Sequence, residues 1–210
     1  MSGSDSPVYK TDVINFVKIA NEFTKFIEES DKTDLSDFID KAHKLLPELY
    51  LMATLLPVLD AKFEDFNQRF VNEQDYEYVR GKMLSKLGQY DSYEEVFNKL
   101  GTETEDNFGA SISENLADIY QDIKDFVLLY EIGSNEVMYE AIWECRQAFE
   151  TYWGQRLTNA LRALHFLRYT DEEIIEDENF IQNSDELPDD LDTSDWIISK
   201  RQEDYSDDEK

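Results

Sequence analysis

A chain of 210 residues with 48 Asp and Glu against 20 Lys and Arg carries a formal charge of −28, which repels nucleic-acid phosphates and anionic bilayers and speaks against direct binding to either. With 41% hydrophobic and 13% aromatic residues, the chain has material for one sizeable core. Its single cysteine, Cys145, excludes an intramolecular disulfide and a cysteine-based zinc site.

The leader MSGSDSPVYK has no apolar signal core, and no run approaches the roughly 18 apolar residues of a membrane span, so the expectation is a soluble cytoplasmic protein with no membrane attachment. Val13, Phe16, Val17, Ala20, Phe23 and Ile27 then recur every three to four residues, an amphipathic helix over about 8–29. Asp34 or Ser36 can cap the next helix, whose stripe runs from Leu35 through Phe38, Ile39, Ala42, Leu45, Leu46 and Leu49 to Leu56. Pro47 should kink or divide it, and Pro57 ends it. The pattern over 58–73 is irregular, with Phe63, Phe66 and Phe70 hinting at helical turns. A helix over about 74–87 closes at Gly88, and 91–97 (DSYEEVF) suggests a further short turn of helix, followed by a loop over 98–110.

Ser111 and Glu114 spell a capping box for a helix with the stripe Ile112, Leu116, Ile119, Tyr120, Ile123, Phe126, Val127 and Tyr130. Asp118, Asp122 and Asp125 lie off that stripe, Asp122 nearest its border. Gly133, Ser134 and Asn135 then open the longest helical pattern in the chain, 135–168, roughly 50 Å at ~1.5 Å per residue. On a wheel of 100° per residue, Met138, Ile142, Cys145, Phe149, Tyr152, Trp153, Leu157, Ala160, Ala163, Leu164 and Leu167 share one arc, and Cys145 reads there as a small buried hydrophobe. Arg156 projects from the middle of this arc, which predicts a buried guanidinium paired with Asp122 or Asp118.

From Asp171 the composition changes: 171–210 holds 17 Asp and Glu against three Lys and Arg. Hydrophobic residues interrupt the acid, including Leu187, Leu191, Trp196, Ile197 and Ile198, a pattern of segments that fold on a partner or on their own domain. The expectation is that 187–198 dock while 200–210 remain mobile. The architecture predicted is all-α: residues 1–170 as a bundle of five to six mainly antiparallel helices around one long central helix, and 171–210 as an acidic tail.

The blocks LLPELYLMATLLP, YEYVRGKMLSKLGQYDSYEEVF, SISENLADIYQDIKDF and AIWECRQAFETYWGQRLTNALRALH resemble the family DUF5063 over most of residues 8–168. The resemblance implies an all-helical bacterial domain of unknown function. Where many members carry histidines beside Trp-Gly, this chain has Tyr152 and Arg156, which speaks against a histidine-based metal or catalytic site.

Two function classes follow. The pairs Asp118/Asp122 and Glu140/Glu144 are each spaced i,i+4, and on facing helices they could hold Mg²⁺ or Mn²⁺ for hydrolysis of a nucleotide or phosphate substrate. The E-x-x-E…E-x-x-D pattern usual in all-helical pyrophosphohydrolases is not found with convincing helix placement. No nucleophile elbow, P-loop or dinucleotide turn is present. Trp143, Trp153 and Gly154 read as close packing or as a pocket wall, and His165 as an exposed or capping histidine. The class that needs no special residues and no cofactor is a non-enzymatic protein-interaction module. Its strongly acidic surface and tail would suit another protein, basic in character, and its oligomeric state is left open.

Overall fold

The computed structural model describes residues 6–62, 69–95, 108–171, 174 and 175. After a short 3₁₀ turn, Pro7–Tyr9, come α1 (Thr11–Glu28), α2 (Leu35–Thr54), α3 (Glu73–Leu87), strands β1 (Ser92–Glu95) and β2 (Phe108–Ser111), then α4 (Ile112–Glu131), α5 (Asn135–Ala148) and α6 (Gly154–Arg168). The fold is an all-α bundle to which one antiparallel hairpin is added. Among the described residues, no helix is long and apolar enough to cross a membrane.

The helix starts are chemically defined. Asp34 Oδ1 accepts from Asp37 N at 2.8 Å and Ser134 Oγ from Val137 N at 3.2 Å. At Ser111 the hydroxyl accepts from Glu114 N at 3.2 Å. A full reciprocal box stands at α3 instead: Asn72 Oδ1 accepts from Gln74 N and Asp75 N, and Asp75 Oδ2 accepts from Asn72 N. Gly133, at φ 79, takes the left-handed conformation that ends α4 and lets α5 start two residues later. Pro47 lies on the exposed side of α2, which continues as one helix through it.

Core positions follow the stripes. Phe16, Phe23 and Ile27 of α1, Phe38, Leu46 and Leu49 of α2, and Leu116, Ile123 and Phe126 of α4 are all buried. α4 packs against α1, α3, α5 and α6, sharing the centre of the bundle with the α5–α6 rod. Burying each such side chain contributes about 1.5–3 kcal/mol.

Besides the division of α2 expected at Pro47, which does not occur, two local expectations are corrected. Residues 91–97 do not begin a helical turn: 92–95 form β1, paired with β2 so that Ser92 lies opposite Ser111 and Glu95 opposite Phe108. Ser92 and Glu94 face out and Tyr93 is partly buried, a period of two over too few residues to stand out in the sequence. Asp91, buried, fastens the hairpin to α4. Its Oδ1 accepts from Ser113 N at 2.6 Å, and its Oδ2 accepts from the Ser111 and Ser113 hydroxyls at 2.6 and 3.0 Å. Phe63 and Phe66, candidates for helical turns, lie outside the described residues.

The second correction concerns the rod. Residues 135–168 are helical throughout, but Phe149–Trp153 form a π-turn rather than α-helix. Gly154 N donates to Phe149 O, an i→i+5 bond that inserts one residue into the turn. On a uniform wheel, the buried residues of α6 (Gly154, Leu157, Ala160, Leu164) are turned about 100° from those of α5 (Met138, Ala141, Ile142, Cys145), the angle of one residue. The π-turn absorbs that difference and keeps both faces on the core. It also carries Arg156 from the middle of the apolar arc to its edge, where its side chain is 40% exposed rather than buried.

Candidate functional site

The carboxylates singled out in the sequence sit on the facing helices α4 and α5, yet they do not converge on one point. Asp118 Oδ2 is 3.2 Å from Arg156 Nε, and its Oδ1 accepts from Tyr76 Oη at 3.0 Å. Asp118, not Asp122, is thus the partner of Arg156. Glu140 is fully buried, and its Oε1 accepts from Lys62 N at 2.8 Å, so it holds the chain beyond α2 in place. Asp122 and Glu144 do meet, but around a guanidinium: Arg69 Nη1 lies 3.3 Å from Asp122 Oδ1 and Asp125 Oδ2, and its Nη2 lies 3.2 Å from Glu144 Oε1. Asp125 Oδ1 also accepts from Phe70 N and Val71 N at 2.8 and 2.9 Å.

The expected four-carboxylate Mg²⁺ or Mn²⁺ centre is therefore not assembled. Its members are divided among three partners, and Arg69 supplies the positive charge where a cation would sit. Among the described residues, no group of three or more His, Cys, Asp or Glu is arranged to hold a metal ion. The space among Arg69, Asp122, Asp125, Glu144 and Cys145 is about 10 Å³, room for one water and not for a substrate. Arg69 and Asp125, the centre of this cluster, were invisible locally because Arg69 lies more than fifty residues from either aspartate.

Three carboxylates around one guanidinium leave an excess of negative charge. Burial, only partly offset by Arg69, pushes the Asp122 carboxyl up to about 6, with Asp125 and Asp118 adding to the rise. Burial also raises Asp125 and Glu144. Because its folded value lies above the unfolded one, the stabilising contribution of Asp122 is full below about pH 4 and is lost as pH rises through 6. Asp122→Asn keeps the neutral form at every pH. It is expected to raise stability at pH 7.5 by about 2 kcal/mol, from roughly two pKa units at ~1.4 kcal/mol each less the weaker bond to Arg69. Thermal unfolding at pH 7.5 and 4.5 checks this: the gain should shrink towards the lower pH, and a loss at pH 7.5 would show that the ionised carboxylate is needed by Arg69.

The aromatic candidates resolve into packing. Trp153 is fully buried, its Nε1 donating to Cys145 O at 3.2 Å and its ring 4.7 Å from that of Phe149. Gly154 abuts Phe149, while Trp143 is half-buried on α5. Cys145 is buried and its thiol is pushed well above the usual range by burial, which makes it inert. His165 is exposed, and it meets the other histidine of the chain: His43 Nε2 and His165 Nδ1 are 3.1 Å apart across the α2–α6 seam, with Tyr169 against both rings. Burial, then the charges of His165 and Arg168, lower the His43 pKa. A pairing 122 residues apart in sequence leaves no local signature.

Beside that seam lies a groove of about 720 Å³, between the C-terminal half of α6 and the turn that leads into β1. Tyr90, Tyr93, Ile112, Arg162, His165 and Phe166 line it, and Glu94 is the one acid among its described lining residues. Arg162 Nη2 donates to Glu94 O at 3.3 Å. Phe166 is 72% exposed and Tyr169, one turn on, 63%. The stretch 151–170 contains no Asp or Glu but three arginines, a basic and apolar island in an acidic protein. The chain then turns back: Ile174 packs against the core, and Ile175 N donates to Tyr90 Oη at 3.2 Å, at the rim of the groove. Leu187, Leu191, Trp196, Ile197 and Ile198, the predicted docking residues of the tail, lie outside the described residues.

A family model, "Domain of unknown function (DUF5063)", matches residues 7–170. Among solved structures, the chain is similar to the protein BF1032 from Bacteroides fragilis, a structural-genomics target. Identity is 36% and the TM-score 0.71, with 80% of this chain and 99% of that one covered. Comparison with the curated proteins gives no match.

Proposed function

The chain belongs to the DUF5063 family, and from that premise we propose that it is a cytoplasmic, non-enzymatic protein-interaction module that binds another protein at the C-terminal end of α6. The observation that carries this reading is the groove lined by Phe166, with Phe166 on α6 and Tyr169 just past the end of that helix both largely exposed in a stretch without acids. Large aromatic side chains presented to solvent at a concave site are what protein-binding surfaces use as anchors, and scattered exposed apolar residues are not. The charge of −28 draws a partner with basic surface at long range, and the groove then seats an apolar segment of it.

The second reading, a carboxylate-based hydrolase using Mg²⁺ or Mn²⁺, meets an unsuitable donor set, since a divalent ion would have to displace Arg69 from three carboxylates. Calorimetric titration with either metal tests it, and a heat that vanishes in Asp122→Asn would revive it.

The interaction reading is tested by capturing partners on the immobilised protein, purifying the one recovered and measuring its affinity directly. The double variant Phe166→Ser, Tyr169→Ser should weaken binding about a hundredfold, two anchor residues at ~1–2 kcal/mol each. Leu51→Ser, Leu55→Ser, an exposed apolar pair at the C-terminal end of α2, serves as control and should bind as wild type. Equal affinity in all three proteins would remove the groove from the interaction.

A further inference from the structure

We propose that in the free protein the groove beside α6 is occupied by the chain's own C-terminal segment, residues 176–198, which a partner must displace. The proposal rests on the interaction reading of the same groove and adds its resident ligand.

Three observations lead to this segment. Continuity is the first: Ile174 is packed on the core, and Ile175 donates to Tyr90, a residue that lines the groove, so the last described residues deliver the chain to its rim. Thirty-five residues follow. Phe180 and Ile181 are five and six residues on, within ~17–20 Å at full extension, and Trp196, Ile197 and Ile198 have slack to fold back.

Charge is the second. Residues 176–198 contain nine Asp and Glu and no Lys or Arg. Most of the bundle surface is acidic and repels such a segment. The acid-free stretch 151–170 differs: it places Arg162 and His165 in the groove wall and Arg168, paired with Asp40, one turn beyond His165. The acids facing the groove are few: Glu94 lines it, and Asp91 behind it is buried and satisfied by Ser111 and Ser113.

The third is chemical form. The segment alternates acids with Phe180, Ile181, Leu187, Leu191, Trp196, Ile197 and Ile198, while the groove alternates Tyr90, Tyr93, Ile112 and Phe166 with Arg162 and His165. A tether of a few residues gives an effective concentration in the millimolar range, so weak contacts suffice to fill the groove. A basic partner would then act twice, pairing with the acids of the tail and taking the groove it leaves.

The test uses the full-length protein. Amide hydrogen exchange is compared between wild type and the variant Phe180→Ser, Ile181→Ser, Trp196→Ser, Ile197→Ser. Exchange in 88–94 and 161–169 should rise about tenfold or more in the variant, with α1 and α4 unchanged as evidence of an intact fold. Arg162→Glu in the wild-type background should reproduce part of the rise and make it insensitive to salt. Equal exchange in all three proteins overturns the proposal. Protection that grows with protein concentration also overturns it, because the occupant would then be the tail of a second copy. The partner supplies the last arm: the tail variant should bind it about tenfold more tightly than wild type. If the tail variant binds it equally while Phe166→Ser, Tyr169→Ser still loses it, the interaction reading stands and the tail proposal falls.

Discussion

Replacing Glu28 by Ala is expected to cost the fold about 3–5 kcal/mol, because it would leave the ammonium of Lys124 buried without a counter-ion. Lys124 is 0% exposed in the middle of α4, and its Nζ lies 2.6 Å from Glu28 Oε1 at the end of α1. Tyr120 Oη donates to the same oxygen at 3.0 Å, so an ammonium and a hydroxyl, both from α4, close on one carboxylate. At ~2–4 °C per kcal/mol for a chain of this size, the melting temperature should fall by roughly 6–20 °C. The pair itself need not be stabilising, since desolvation of both ions offsets most of their attraction. The double variant Glu28→Leu, Lys124→Met should therefore recover most of the loss. Urea unfolding of Glu28→Leu, Lys124→Met and the double variant measures the coupling, and a Glu28→Ala protein within about 1 kcal/mol of wild type would mean that Lys124 reaches water.

Gly154→Ala should destabilise by about 3 kcal/mol, the reverse of what the same change does in an ordinary helix. There, Ala gains up to ~1 kcal/mol over Gly. Here a Cβ would stand 2.4 Å from Phe149 O and 2.9 Å from its ring, closer than real contacts allow, and the first of these is backbone that cannot rotate away. The π-turn exists at this residue because Gly lets the i→i+5 bond form. Relief requires the turn to revert to α geometry, which would rotate α6 by about one residue (~100°) and pull Leu157, Ala160 and Leu164 off the core. Near-ultraviolet circular dichroism of Trp153, fully buried next to Phe149, should change together with the melting temperature. A more stable Ala variant would show the turn to be incidental.

These two sites differ in how much of them the chain displays. The stripe of α4 is readable from Ile112 to Tyr130, but Lys124 lies within it unnoticed, since a lysine in an apolar stripe is explained only by Glu28 arriving from α1. Gly154 is readable as close packing, yet the direction of its consequence depends on its N–H bonding the carbonyl five residues back, Phe149 O, rather than the one four back. The same turn explains Arg156. A wheel of constant pitch centres it on the apolar arc; the inserted residue moves it to the edge, beside Asp118 and half in water.

The carboxylates make the same division at the candidate site. Their i,i+4 spacing on two helices was visible, and the helices do face one another. Which carboxylate meets which cation was decided by Arg69, entering from a segment between α2 and α3 that carries no periodic signal. The groove was likewise hidden, because its wall combines the turn before β1 with the end of α6, some seventy residues apart.

What the sequence by itself determined is the helical content, the helix starts at Ser111 and Ser134 and a further one at Asp34 or Ser36, the turn at Gly133 and the buried stripes. Each of these depends on residues within one or two turns of one another, where backbone hydrogen bonds and side-chain spacing act locally. Only the tertiary structure decided the hairpin at 92–95, the Arg69 cluster, the His43–His165 contact, the rotation of α6 and the groove beside Phe166. Charge pairing and groove walls are made by groups brought together from distant parts of the chain, and their identity is set by which helix faces meet, a property of packing that no local period encodes.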